Sequence, residues 1–156
     1  MIAGDMYLLR GQYAHAIKVL ERALVVEKSA TGFIFLGSYV QRAAVHINSD
    51  ELDAADALLE LAINTYPRID HVYAETMTAY AHFVRGVLDE HRGNDAAAEK
   101  SFRSCCEVAE SHDHRLGIGA HWIKSKLGLA RTAQRRGDEA ASDLALVEAL
   151  HMHSKR

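Results

Sequence analysis

The chain has 156 residues, enough for one hydrophobic core and short for a two-domain enzyme. Hydrophobic residues make up 49% of it but aromatic ones only 7%, with a single proline, Pro67; this favours helix and leaves little punctuation for strands and turns. The net charge of -3 gives no electrostatic footprint for nucleic acid or an anionic membrane surface, so neither is expected as a partner.

In chain order, Ala3 to Arg10 reads as a short helix closed by Gly11. The stretch GQYAHAIKVLERAL, Gly11 to Leu24, then sets a small residue, Ala16, ahead of Leu20, Ala23 and Leu24 at helical spacing. Thr31 to Ile47 reads as a longer helix ending at Asp50, after which the small-then-large pattern returns at Ala55, Leu59, Ala62 and Ile63 and stops before Pro67. Arg68 to Arg92 reads as the next helix, Gly93 as its stop, and Ala98, Phe102, Cys105 and Cys106 as the third copy. His114 to Arg136, Gly137 and the set Ser142, Leu146, Ala149 and Leu150 complete the series. The copies lie 39, 43 and 44 residues apart (16 to 55, 55 to 98, 98 to 142), each with a turn former five residues upstream. Asp50, Asn94/Asp95 and Asp138 are expected to cap the helices that follow. The unit is a helical hairpin used four times, over roughly 1–30, 31–67, 68–112 and 113–153, within one all-α domain spanning 1–156.

The stretch AGDMYLLRGQYAHAIKVLERAL resembles a tetratricopeptide repeat, through Gly4, Tyr7, Gly11, Tyr13, Ala16, Leu20 and Ala23. Ala55, Leu59, Ala62 and Pro67 continue the likeness, then Gly86, Gly93, Ala98 and Phe102, then Leu129, Ala130, Gly137, Leu146 and Ala149. The family unit is about 34 residues, so these copies are longer and resemble the repeats of bacterial signal-responsive transcription regulators. The resemblance implies a right-handed superhelical stack of hairpins whose first helices line a concave wall. Small residues let the helices approach, while Leu20, Leu59, Phe102 and Leu146 are expected to fill the space between neighbouring pairs.

The family's groove positions fall on Asp5, Leu8 and Leu9, then Val40, Gln41, Ala44 and Asn48, then Tyr80, Phe83, Val84 and Val87, then Lys124, Leu127, Arg131 and Arg135. That wall is apolar in the middle and basic at one end, because His114 to Gly137 holds six Lys and Arg residues and no acid. Lys124, Arg131 and Arg135 form one helical stripe, which reads as a solvated face or as a dock for an acidic peptide segment. The function expected is a non-enzymatic scaffold holding a protein or peptide partner. The alternative is a sensor segment that binds a small effector or an inhibitory protein.

Chemistry is thinly represented. His112, Asp113, His114 and His121 suggest metal ligands, but their spacing matches no closed four-ligand site, and neither metal nor cofactor is expected. Cys105 and Cys106 occupy buried repeat positions as small hydrophobes. Trp122 is expected to pack between hairpins. Gly117-Ile118-Gly119 lacks the strand and third glycine of a phosphate cradle, and His71 with Glu75 is an ordinary surface pair. No apolar run nears the roughly 20 residues a bilayer needs, and Met1 to Asp5 lacks a secretion signal's pattern, so a cytoplasmic protein is expected. A short first helix and an unsealed last one raise the further expectation that the ends are covered by another subunit or by the rest of a longer chain.

Overall fold

The breaks between helices come from single residues that L-amino acids other than glycine seldom tolerate. Gly11, Asp50, Gly93 and Gly137 have φ of +67°, +60°, +70° and +75°, and Asp50 is the only non-glycine among the described residues with positive φ. At three of these turns the same pair of backbone bonds closes the preceding helix. The amide of Glu51 donates to the carbonyl of His46, Asn94 to Asp89 and Asp138 to Ala133, while the turn residue itself donates three residues back.

The computed structural model describes residues 10–29, 37–70, 73–111 and 118–154. These form seven α-helices and no strand: α1 (Tyr13–Ser29), α2 (Ser38–Asn48), α3 (Leu52–Thr65), α4 (Ala74–His91), α5 (Asp95–Ser111), α6 (Ile118–Arg135) and α7 (Glu139–Ser154). A 3-10 turn, Tyr66–Arg68, follows α3. None of the described helices is long and apolar enough to cross a membrane.

One helix start differs from the sequence reading. The helix expected from Arg68 begins at Ala74, because Pro67 starts a 3-10 turn and Ile69 is extended (φ -94°, ψ 122°). The helices expected from Thr31 and His114 are described from Ser38 and Ile118, and residues 30–36 and 112–117 lie outside the described residues. Caps also divide. Asn94 Oδ1 accepts the Ala97 amide at 3.2 Å and Asp138 Oδ1 the Ala141 amide at 3.0 Å, as side-chain caps should. Asp50 does not cap. It occupies the left-handed turn position that glycine holds elsewhere, and Glu51 stands at the N-cap with no side-chain bond to the helix.

Contacts run only between helices one or two places apart in the chain. α2 touches α4 and α4 touches α6, so these three form a continuous row; among the described residues α1, α3, α5 and α7 do not touch one another. The core is correspondingly a string of clusters. Ala16 and Leu20 meet Val45; Val40, Leu59, Tyr66, Val84 and Leu88 join α2, α3 and α4; Ala79, Cys105, Ile118 and Trp122 join α4, α5 and α6.

Small residues on α1, α3, α5 and α7 set how closely those helices pack against the row. Ala16, Ala55 and Ala98 are fully buried, as are Ala62 and Cys105, and Ser142 is nearly so. Phe102 of α5 is buried between Gly86 of α4 and Gly128 of α6, and a Cβ on either glycine would sit 2.4–2.8 Å from its ring. Leu146 departs from expectation. It is 39% exposed, whereas its counterparts Leu20, Leu59 and Phe102 are buried, because no described helix lies beyond α7 to cover it.

Candidate functional site

The row formed by α2, α4 and α6 carries a groove of about 240 Å³ lined by Ala44, Ile47, Asn48, Tyr80, Phe83, Val84, Val87 and Lys124. Every lining residue comes from these three helices. α4 supplies the floor because Tyr80, Phe83, Val84 and Val87 recur three and four residues apart on one helical face. α2 contributes Ala44, Ile47 and Asn48 from its last turns, and Asn48 Nδ2 donates to the Ala44 carbonyl at 2.7 Å, which fixes its amide at the rim. At the α6 edge the Lys124 ammonium lies 5.8 Å from the Phe83 ring centroid, a cation held over an aromatic face.

Of the residues expected to line a groove, the structure therefore brings together Ala44, Asn48, Tyr80, Phe83, Val84, Val87 and Lys124. It does not place the others with them. Val40 and Gln41 are buried in α2, Val40 within the cluster that joins α2 to α3 and α4. Leu127 is exposed on α6 outside the groove lining. Asp5, Leu8 and Leu9 lie outside the described residues.

Arg131 and Arg135 do other work. Arg131 grips Glu90 with Nε and Nη2 at 3.2 and 2.6 Å, and Arg135 bridges Glu90 and Asp95 at 2.8 and 2.6 Å. Burial works to raise the Glu90 pKa, but the bonds from Arg131 and Arg135 outweigh it and hold the carboxyl below its usual range. The hydrogen bonds it donates to Asp95 and then Glu90 push the Arg135 guanidinium further toward its charged form. The basic stripe expected as solvated face or acidic-peptide dock is thus largely occupied by acids of the preceding hairpin, and only Lys124 of it borders the groove.

The same kind of pairing repeats along the chain. Arg92 precedes its turn glycine and reaches Asp56 at 2.6 Å; Arg136 precedes the next one and pairs with Glu99. Asp56 and Glu99 each follow the buried alanine of their own hairpin, so the pairs share a register. The pairing is invisible to sequence periodicity alone, because its partners lie 36 and 37 residues apart.

Beside the groove, His121 of α6 stacks on Tyr80 with ring centroids 4.6 Å apart and an interplanar angle of 21°, and lies 6.4 Å from Phe83. Burial, with a smaller push from the Lys124 charge, lowers its pKa to about 4, so the imidazole is neutral near pH 7. Its Nδ1 is buried with no hydrogen-bond partner among the described residues. His121 thus sits among aromatic rings, its expected companions His112, Asp113 and His114 lie outside the described residues, and no described cluster of three His, Cys, Asp or Glu side chains could hold a metal ion. His71 also lies outside them.

Trp122 packs against α4 and α5, its Nε1 donating to Glu110 Oε1 at 2.9 Å and its ring lying 4.9 Å under the Lys126 ammonium. Burial pushes the Cys105 thiol up to about 11 and the Cys106 thiol up to about 12, which keeps both protonated and poorly nucleophilic. The arrangement is suited to holding an apolar group beside a cation. Glu110, which sequence reasoning passed over, shows no signal of its role beyond lying twelve residues before Trp122. No protein-family model matches the chain, and no curated protein matches it.

Proposed function

We propose that the chain is a tetratricopeptide-like stack of four helical hairpins that binds a protein or peptide partner along the row α2, α4 and α6. The observation that carries this is the groove itself, apolar along Phe83, Val84 and Val87 and edged by Lys124, built from three helices that alternate in the chain. Left-handed turn residues at 11, 50, 93 and 137 and three identical helix-closing bonds support a repeated unit. Among the described residues, contact within one row of helices and none within the other supports a stack that bends toward the groove.

A partner segment would set an apolar side chain over Val84 and Val87 and a carboxylate beside Lys124. The chain itself performs no chemistry in this reading. Purification of the tagged protein from native extract should recover one stoichiometric partner. Val87→Glu and Lys124→Glu should each weaken recovery at least about tenfold, equivalent to roughly 1.4 kcal/mol, while Lys100→Glu on exposed α5 leaves it intact. Equal recovery by all variants would refute the groove. Stabilisation by small metabolites with no protein recovered would favour an effector sensor instead.

A further inference from the structure

The gap between α5 and α7, floored by α6, holds a cavity of about 100 Å³ whose apolar walls are Leu129, Ala133, Leu144 and Ala145. Leu129 and Ala133 lie five and nine residues beyond Lys124, roughly 140° and 180° around the helix, so cavity and groove occupy opposite faces of α6. The corresponding gap one hairpin earlier is polar. Counted from Gly93 and Gly137, Arg85, Asp89, Lys100 and Ser101 stand where Leu129, Ala133, Leu144 and Ala145 stand later. In the earlier gap Arg85 reaches Asp56 at 2.6 Å and Ser101 Oγ donates to Asp89 at 3.1 Å, so side chains of α3, α4 and α5 satisfy one another across it. In the later gap four apolar side chains replace that network, and the cavity lies among them.

Charge surrounds these walls unevenly. Arg103 bonds Glu99 through Nε and Nη2, Arg136 pairs with the same carboxylate through Nη1, and Lys126 pairs with Glu148 at 2.7 Å. Three cations therefore line the cavity against two carboxylates. Asp95 and Asp138 also act on Arg136, but Asp95 is bridged by Arg135, and Asp138 caps α7 at the Ala141 amide. Nε and Nη2 of Arg136 make no bond among the described residues, and together they offer the two parallel N–H groups that a carboxylate accepts. We propose that the cavity binds a short-chain monocarboxylic acid, its tail among Leu129, Ala133, Leu144 and Ala145 and its carboxylate on Arg136 and Arg103. Size sets the chain length: a cavity of about 150 Å³ holds benzene, so this one takes roughly four carbons. One negative charge balances the surplus cation. Ion pairs stand on both flanks, and a peptide backbone lying over them would strip water from Glu99, Arg103, Lys126 and Glu148, whereas a small acid leaves them wet. The cavity shares no residue with the groove, so acid binding and partner recovery are measured separately.

Calorimetric titration of the full chain with sodium butyrate, against matched sodium chloride, should show saturable one-to-one binding with a Kd that is roughly millimolar or tighter. Carbon-13 methyl spectra should show butyrate shifting the methyls of Leu129, Ala133 and Leu144 and leaving those of Val84 and Val87 in the groove in place. Butylammonium, with the same tail and the opposite charge, should not bind. Arg136→Gln should weaken butyrate binding at least about tenfold. Leu144→Ser, at a position 61% exposed where the fold tolerates change, should weaken it about threefold or more, with circular dichroism unchanged. No saturation by about 20 mM butyrate, equal binding of butylammonium, shifts confined to the groove methyls, or an Arg136→Gln chain that binds as tightly as the wild type would each overturn the assignment.

Discussion

Phe102 decides how closely α4 and α6 approach each other. Its fully buried ring contributes about 3 kcal/mol through burial and fits only because Gly86 and Gly128 offer it bare backbone. Gly86→Ala and Gly128→Ala should each cost about 1–3 kcal/mol, the range for forcing a methyl into a packed core, read as a lower urea midpoint. Adding Phe102→Leu to either variant should restore part of that loss, which a simple helix-propensity effect would not do, since alanine alone favours helix.

His121 sets a second expectation at the same scale. Its folded pKa, about 4, lies below the ordinary histidine value, so between pH 6.5 and 4 the unfolded chain binds the extra proton. Stability is therefore full above about pH 6.5 and is lost as pH falls through that window, and His82, also lowered by burial against the pull of Glu107, acts in the same sense. Urea unfolding of His121→Phe should show a shallower acid loss than the wild type.

At the scale of elements, the turn after α2 is the imperfect one. Asp50 holds a left-handed conformation that costs an ordinary residue about 1–2 kcal/mol, and aspartate less, while Gly11, Gly93 and Gly137 adopt it freely. Asp50→Gly should raise the thermal midpoint by an amount matching a few tenths to about 1 kcal/mol, and Gly93→Ala should lower it. These turns were legible because glycine and aspartate recur five residues ahead of a buried small residue. The 3-10 turn at Tyr66–Arg68 is not legible: in sequence Pro67 marks only a stop, and its tolerance of a tight first turn leaves the next helix to begin later. Gly128 gave no signal either, since only its distance to a ring on another helix makes it necessary. Ion pairs such as Arg131 with Glu90 depend on which surfaces face each other across hairpins, and a charge stripe read along one helix cannot say what neutralises it.

For the whole molecule, the all-α class and the position of the apolar groove residues on α4 were readable from period and register. Exposure of Leu146 and Leu150 was not, because a repeat pattern assigns each position the surroundings of its internal counterparts and α7 has no described neighbour beyond it. Since among the described residues no helix touches another more than two places along the chain, nearly every stabilising contact described is between segments close in sequence. Folding of such a chain closes only short loops and proceeds quickly from whichever hairpin forms first. An internal hairpin could also be duplicated in evolution without rebuilding the rest, because its neighbours already offer the surfaces that a copy would need.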